Sequence, residues 1–282
     1  MANTLDIRRR IRSVKNTAQI TKAMQMVAAS KMRKAQAAAL AGRPFQDLIW
    51  RVLASLRGRV NPNDHELLRV RPVQKELVVV FSTDKGLCGA LNTNLFRELA
   101  DLDSRKTLYV SCGRKAVQFL ARTKRDLVAD FPLGETPSIR EIRPIGSFCR
   151  ERFESGEVDQ VRVLYSYFVN TLTQAPKLRS LLPIPVEELG LHLPEGGTEY
   201  IFEPDEPSVL SAILPRYINF QLFQMALDAR ASEQSARMVA MKNATDNAKE
   251  LVKQLTLHYN KIRQASITTE LLEITTAQLA LE

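Results

Sequence analysis

The stretch "ASEQSARMVAMKNATDNAKELVKQL", Ala231–Leu255, lies inside a run from Arg216 to Glu282 that contains no Gly and no Pro. Sixty-seven residues without a breaker, rich in Ala, Gln, Lys, Arg and Met, specify one long helix. These side chains lose little rotamer freedom in a helix, and nothing interrupts the backbone ladder. At ~1.5 Å per residue such a helix reaches ~100 Å, longer than a globular domain is wide. Its inward positions recur by threes and fours: Ile218, Leu222, Met225, Ala229, Ser232, Ala236, Val239 and Asn243. After a stutter through Asn247 the spacing resumes at Leu251, Leu255, His258, Ile262, Ala265, Thr269 and Leu272. This reading places Ser232, Asn243, Asp246 and Asn247 on the seam, where a stable helix pair wants Leu or Val.

The other end of the chain matches it. Met1–Ala41 also lacks Gly and Pro, and Ile11, Val14, Ala18, Thr21, Gln25, Ala28, Met32, Ala35 and Ala39 follow the same spacing. The same helix is expected to continue past Pro44, through "FQDLIWRVLASLRG", as one shaft segment over 1–57. Steps averaging 3.5 residues predict a left-handed coiled coil, and the simplest partners are the two ends of one chain, antiparallel. The small seam residues allow close approach but bury little area per turn.

Between these ends the pattern changes. All Gly and Pro fall between Gly42 and Pro215. Strands are expected at 75–83 ("KELVVVFST"), 106–112, 127–131, 158–168 and 177–184, and helices at 90–102, 113–123 and 138–155, the last interrupted at Pro144. Strands alternating with helices imply a parallel or mostly parallel α/β sheet. The fold class is thus α/β with long helices: a terminal coiled coil plus a Rossmann-like domain. The expected divisions are 1–57, 74–190 and 208–282, with the last helix entered from a loop-rich stretch at 185–207.

Charge narrows the partners. The net charge is +9, and residues 1–43 carry ten Lys or Arg against one acid, Asp6, while the remainder balances. So concentrated a basic helix calls for an acidic partner: nucleic acid, anionic lipid or an acidic protein surface. No apolar run approaches the ~20 residues of a membrane span, and the N-terminus reads as a helix rather than a targeting segment. Cys88, Cys112 and Cys149 stand far apart in no ligand spacing, which fits a reducing compartment without disulfides. His65, His192 and His258 are scattered and read as structural or surface residues. No metal site and no cofactor are expected.

Catalytic candidates are few. "STDKGLCGALN" (82–92) sits between a strand and a helix, where α/β folds bind phosphate, but it matches neither GxGxxG nor GxxxxGK[ST]. A tight turn with positive φ at Gly86 and Gly89 is the plainer reading. Cys88 near a helix start is a possible nucleophile without a neighbouring His in sequence. "SCGRKAV" (111–117) reads as a second glycine turn. No paired carboxylates stand out as general acid and base.

Five motifs are more specific: "DIRRRIRSVKNTAQITKAMQMVAASKMRKAQ" (6–36), "FSTDKGLCGALN" (81–92), "YIFEPD" (200–205), "ASEQSARMVAMKNATDNAKEL" (231–251) and "YNKIRQASITTELLEI" (259–274). Together, and in this order, they resemble the gamma subunits of F-type ATP synthases over essentially the whole chain. The resemblance implies a rotor shaft whose terminal helices rise through three alpha and three beta subunits. It implies an α/β foot on the c-subunit ring beside epsilon, peripheral to the cytoplasmic face of a bacterial plasma membrane, with catalysis on beta rather than on this chain. It implies that Arg237, Arg263, Gln264, Thr268, Glu270 and Glu273 engage the loops of beta. It implies that Lys22, Met24 and Lys31 face an acidic lever loop of beta, and that Tyr200 and Glu203 meet the polar loops of the c ring. Two places depart from the family pattern: Asp228, Ala229 and Arg230 before "ASEQ", and Ala277 and Gln278 near the end. No Cys pair matches the regulatory insert of plastid forms. The reading of another class is a nucleic-acid-binding coiled coil built on the basic first helix, and a third is a phosphate-binding α/β enzyme with helical arms.

Overall fold

A computed structural model describes residues 4–56, 65–185 and 202–279. The elements run α1 (Thr4–Ala41), α2 (Arg43–Leu56), β1 (Glu76–Phe81), α3 (Leu91–Ala100), β2 (Thr107–Cys112), α4 (Arg114–Arg122), β3 (Leu127–Asp130), α5 (Ile139–Glu154), β4 (Gln160–Phe168), β5 (Gln174–Leu182) and α6 (Glu206–Leu279). Two compact units result, one of residues 29–236 and one of residues 1–28 with 237–282.

In the larger unit the five strands form one sheet in the order β3-β2-β1-β4-β5. All neighbours are parallel except β4 and β5, which pair antiparallel from Phe168↔Gln174 to Val161↔Leu182. β1 is the centre, and all six of its residues are buried. This is why it reads as a continuous apolar run rather than an alternating one. Its side chains divide by face. Val78 and Val80 join Leu95, Leu99, Ala116 and Leu120 of α3 and α4. Leu77, Val79 and Phe81 join α2, α5 and the first part of α6 through Ile49, Leu53, Ile142, Cys149, Phe153, Leu214, Ile218 and Leu222.

Two prolines sit inside helices. α5 passes through Pro144 without a break, contrary to the interruption expected there, and α6 begins at Glu206 and carries Pro215. Each proline removes one backbone donor. Burial on the sheet outweighs that loss: Ile142, Ile145, Cys149 and Phe153 of α5, and Leu214 and Ile218 of α6, are buried. α5 is further held by a capping box between Ser138 and Glu141. The N-terminal helix, expected to run on past Pro44, instead breaks at Gly42 between α1 and α2.

In the smaller unit α1 and α6 run antiparallel. Thr21 Oγ1 lies 2.7 Å from Thr245 Oγ1, and Arg8 Nη2 donates to Tyr259 Oη at 2.7 Å. On α1 the seam falls as read, with Met32 and Ala35 buried in the larger unit and Thr21 and Ala28 in the smaller. On α6 Ile218, Leu222, Met225 and Ser232 are buried as read, but beyond them the phase differs at most positions. Met241, Thr245 and Ala248 are buried and Val252, Leu255, Tyr259 and Ile262 half-buried, while Asn243, Asp246, Asn247, Leu251, His258, Ala265, Thr269 and Leu272 are exposed. The repeat shifts through Ser235, Met238 and Met241. The reason lies in what α6 touches: Ser232 Oγ donates to Ser166 O at 2.8 Å and Ser235 Oγ to Thr171 O at 2.7 Å, both on the sheet side. Here α6 is buried over a wide arc, and the narrow two-helix stripe begins only at Met241.

The buried polar contact of the seam is therefore a threonine pair. Thr245 donates to Met241 O at 2.7 Å, and Thr21, whose alternative acceptor Ala18 O is farther at 3.2 Å, donates to Thr245. Thr21→Val is expected to cost about 1 kcal/mol, the usual worth of one buried hydrogen bond. Thr21→Val with Thr245→Val should cost less than the sum of the single changes, since two apolar faces then meet. Denaturant unfolding followed by helical circular dichroism measures the cycle, and strictly additive losses would mean that the hydroxyls act independently.

Candidate functional site

The two glycine turns noted in the sequence meet at the C-terminal edge of the sheet, where α/β folds place ligands. They satisfy each other. Ser82 Oγ accepts from Ala116 N at 2.9 Å, Thr83 O from Lys115 N at 3.0 Å, and Asp84 Oδ1 from Arg114 N at 3.1 Å. The first turn of α4 is thus covered by protein acceptors. Within the first turn Asn92 Nδ2 donates to Thr83 Oγ1 at 2.8 Å and approaches Cys88 Sγ at 3.4 Å. Positive φ falls on Leu87 (63°) and Gly89 (60°), not on Gly86. Gly113 is the glycine that close packing demands: a Cβ there would lie 2.3 Å from Ser82 O, at a φ of 141°. The cavity beneath the turn is about 10 Å³, room for one water at most.

Arg230 borders that cavity. Its side chain, 10% exposed, meets Glu233 at 2.7 Å and Asp84 at 3.4 Å, and donates to Leu133 O at 2.9 Å and Gly134 O at 3.1 Å. Next to it Lys31 reaches both carboxylate oxygens of Glu135 at 2.7 Å. The hydrogen bond and charge of Lys31 hold the Glu135 carboxyl below its ordinary range. Lys31, read from the sequence as a partner-facing residue, has this partner within its own chain.

A wider crevice of about 670 Å³ opens elsewhere in the larger unit, lined by Tyr165, Tyr167, Lys177, Arg179, Gln224 and Asp228 among others. Lys177 Nζ stands 4.5 Å from the Tyr167 ring centre. Burial pushes the Asp228 carboxyl up to about 6, against the opposing pull of Lys177. Burial, then the charge of Asp228, pushes Tyr165 up to about 12. The thiols of Cys112 and Cys149 are also raised by burial, Cys149 to about 12, which leaves both as inert thiols.

The remaining predicted residues lie apart from these sites. In the smaller unit Lys22 is exposed and donates to Gln25 at 3.3 Å, and Met24 and Arg237 are half-buried. Because Thr21 and Arg8 oppose Thr245 and Tyr259, the start of α1 at Thr4 falls level with about Ile262. Every residue of α6 from Arg263 to Gln278 is exposed. Arg263, Gln264, Thr268, Glu270 and Glu273 all stand on this stretch. Arg263, Ile267, Glu270 and Ile274 share one face at helical spacing, and Gln264, Thr268 and Leu271 the next. The exposed Ile267, Leu271, Leu272 and Ile274 were not read from the sequence as site residues. Their neighbours in the motif were the available signal. Glu203 is exposed in the larger unit, and Tyr200 lies outside the described residues. Among the described residues no cluster of His, Cys, Asp and Glu has the form of a metal site, and no helix is long and apolar enough to cross a membrane.

Comparison with known proteins bears on the whole chain. The family model described as ATP synthase matches residues 3–281. The ATP synthase gamma chain of Opitutus terrae is 50% identical over 292 residues, covering 99% of both chains. That of Dehalococcoides mccartyi is 46% identical over 288 residues, covering 100% of both. Among solved structures, a chain of the Tetrahymena thermophila mitochondrial ATP synthase central stalk and c-ring superposes with a TM-score of 0.61 at 25% identity, covering 80% of this chain and 99% of that one. A chain of the Euglena gracilis mitochondrial ATP synthase shares the fold at a TM-score of 0.70 and 20% identity, covering 99% and 94%.

Asp228 yields a pH test. Its folded pKa of about 6 lies above its unfolded value near 3.8, so the folded chain binds more protons there between those limits. Stability from this group therefore falls as pH rises through about 6, and the ionised carboxylate is a cost above it. Asp228→Asn is expected to raise the denaturation midpoint at pH 8, with the gain vanishing as pH approaches 4. An equal effect at both pH values would mean that the carboxyl is not ionised at the expense of burial.

Proposed function

Because this chain belongs to the ATP synthase gamma-chain family, we propose that it is the central rotor shaft of a rotary ATP synthase, passing torque between a ring of c subunits and the catalytic beta subunits. Ion flow through the ring drives synthesis, and ATP hydrolysis on beta drives the reverse. The observation that carries this reading is identity near half of all positions over the full length of gamma chains, joined to a helix end left bare for other chains to enclose. The chain acts without an active site of its own. Its divisions follow the work: helical segments 1–57 and 208–282 as shaft, 74–190 as foot.

The bare stretch of α6 supplies the contacts with beta. Arg263, Gln264 and Thr268 present polar groups to its loops, with Glu270 and Glu273 beside them, while Ile267, Leu271 and Ile274 give an apolar surface that only an enclosing partner covers. Arg237, further back on α6, belongs to the same set of contacts with the loops of beta, and Lys22 and Met24 on α1 face the acidic lever loop. The Lys31–Glu135 pair has side chains 38% and 70% exposed. Opening so exposed a pair costs about 0–1 kcal/mol, so Lys31 is released to beta at little expense. Glu203, with Tyr200, meets the polar loops of the c ring. Epsilon binds beside the foot. The assembly holds the chain peripherally at the cytoplasmic face of a bacterial plasma membrane.

Co-expression with alpha and beta, size exclusion and an ATPase assay test the reading. One copy of this chain per three alpha–beta pairs, with steady turnover only when it is present, is expected. Absence of association, with tight binding to nucleic acid at physiological salt, would overturn the reading in favour of a basic helix serving another partner. Arg263→Ala with Gln264→Ala is expected to lower ATPase activity by a few-fold to about tenfold, the kinetic equivalent of one or two exposed contacts. Assembly yield should be unchanged. Lost assembly with normal activity per assembled complex would make the two residues structural.

A further inference from the structure

The segment joining β3 to α5, residues 131–138, is held from three elements. Arg230 of α6 donates to Leu133 O at 2.9 Å and Gly134 O at 3.1 Å. Glu141 of α5 accepts from Gly134 N at 3.1 Å and Ser138 N at 2.8 Å. Lys31 of α1 pairs with Glu135 at 2.7 Å. The Arg230 guanidinium also meets Glu233 on its own helix at 2.7 Å and Asp84, in the turn after β1, at 3.4 Å. Asp84 in turn accepts from Arg114 N at the start of α4 at 3.1 Å. One nearly buried side chain thus ties α6 to the ends of two strands and, through Asp84, to a second helix.

The chemistry of the tie matters as much as its existence. Apolar contact is non-directional, so a helix held to a sheet only by leucines can turn about its axis and exchange one packing for another. A guanidinium is a rigid planar fork whose donors fix both distance and angle. Removing its acceptors would leave a buried charge uncompensated, so slipping is opposed from both sides of the contact. The opposite side of α6 is also gripped. Ser232 and Ser235 donate to Ser166 O at 2.8 Å and Thr171 O at 2.7 Å. At 3.6 residues per turn, Ser232 projects about 200° around the helix from Arg230. Directional bonds on two sides of one helix, within a few residues, resist rotation of that helix against the sheet.

We propose that Arg230 is a positioning residue that fixes the rotational setting of α6 on the sheet domain, so that twist applied to that domain enters the helix without slip. The proposal rests on the rotor reading above. Arg230 touches no reacting group. It acts through the backbone it holds, at Leu133, Gly134 and the Asp84 turn.

The test uses the assembled complex of this chain with three alpha and three beta subunits, anchored through beta. A probe is attached to the sheet domain at Arg122→Cys, an exposed position on α4, the three native thiols being buried. The readout is the angular variance of the probe while the complex waits for ATP. Arg230→Met, which keeps the length and removes the fork, is expected to widen that variance roughly two-fold by releasing a local constraint, with ATPase turnover per assembled complex unchanged. In the complete membrane complex, ions moved per ATP should fall with it. Arg230→Lys, which keeps the charge but not the fork, should lie between. A lower melting temperature or yield with unchanged angular variance would make Arg230 merely structural and overturn the proposal. Should Arg230→Met fail to assemble, Asp84→Asn removes one acceptor charge at a half-exposed position, and an unwidened variance there overturns it equally. A wild-type complex that hydrolyses ATP while its probe stays still would overturn the rotor reading itself, whatever the variants do.

Discussion

Helix α6 is one unbroken backbone that must satisfy three surroundings in turn, and the rest of the chain is arranged around that constraint. From Leu210 to Ser235 it is buried over a wide arc against the sheet. From Met241 to Ile262 it keeps only a narrow buried stripe against α1. From Arg263 to Gln278 every residue is exposed, with no partner surface among the described residues. Helical stability comes mainly from packing of an apolar face, and isolated helices are marginal in water. The firmly held part is therefore the sheet-bound part. The far end depends on propensity, on cooperativity with the turns behind it, and on threonine hydroxyls bonded back along the helix, as Thr268 is to Gln264 O at 2.9 Å.

Polar groups inside this arrangement sit where direction is needed. Ser232, Ser235 and Thr245 are buried and each has a named acceptor. Arg230 and Glu233 are buried together, with Asp84 and two carbonyls completing the guanidinium's partners. A well-packed apolar residue in place of such a charge is often as stabilising. What the apolar residue lacks is a preferred angle. Asp228, two residues earlier, shows the cost side of the same principle: its carboxyl is raised to about 6 because the burial it suffers exceeds the help that Lys177 gives.

The strands and most helices were legible because their signals are local. A continuous apolar run such as Leu77–Phe81 suits a strand covered on both faces, and the glycine turns bound it on schedule. The α1 seam was legible because one partner sets one stripe. The α6 seam was legible only as far as Ser232, because Ser232 and Ser235 answer to the sheet, and a heptad drawn straight through them arrives at Asn243 instead of Thr245. Pro144 misled in the same way, since sequence weighs the lost donor but does not see the buried face beneath it. The ties of Arg230 were invisible for another reason: Asp84 and Leu133 are 146 and 97 residues away. Only the departure from the family pattern at Asp228–Arg230 hinted that this turn of helix is unusual. The antiparallel turn of β5 likewise depends on a short connection after Phe168 that composition does not orient.

The division of α6 also follows from what a shaft must do. A rotor that meets three equivalent partners in succession gains nothing from a deep contact with any one of them, because a ligand shifts an equilibrium only by the difference in its affinity for the states involved. Contacts of exposed side chains, worth a fraction of a kcal/mol to about 1 kcal/mol each, keep the three orientations close in energy while still distinguishing them. The sheet end faces the opposite demand. There, slip would dissipate the twist before it reached the bare helix. Shallow exposed contacts at one end and directional buried bonds at the other are therefore two consequences of the same requirement, that the helix turn freely against its surroundings and not at all against the domain that drives it.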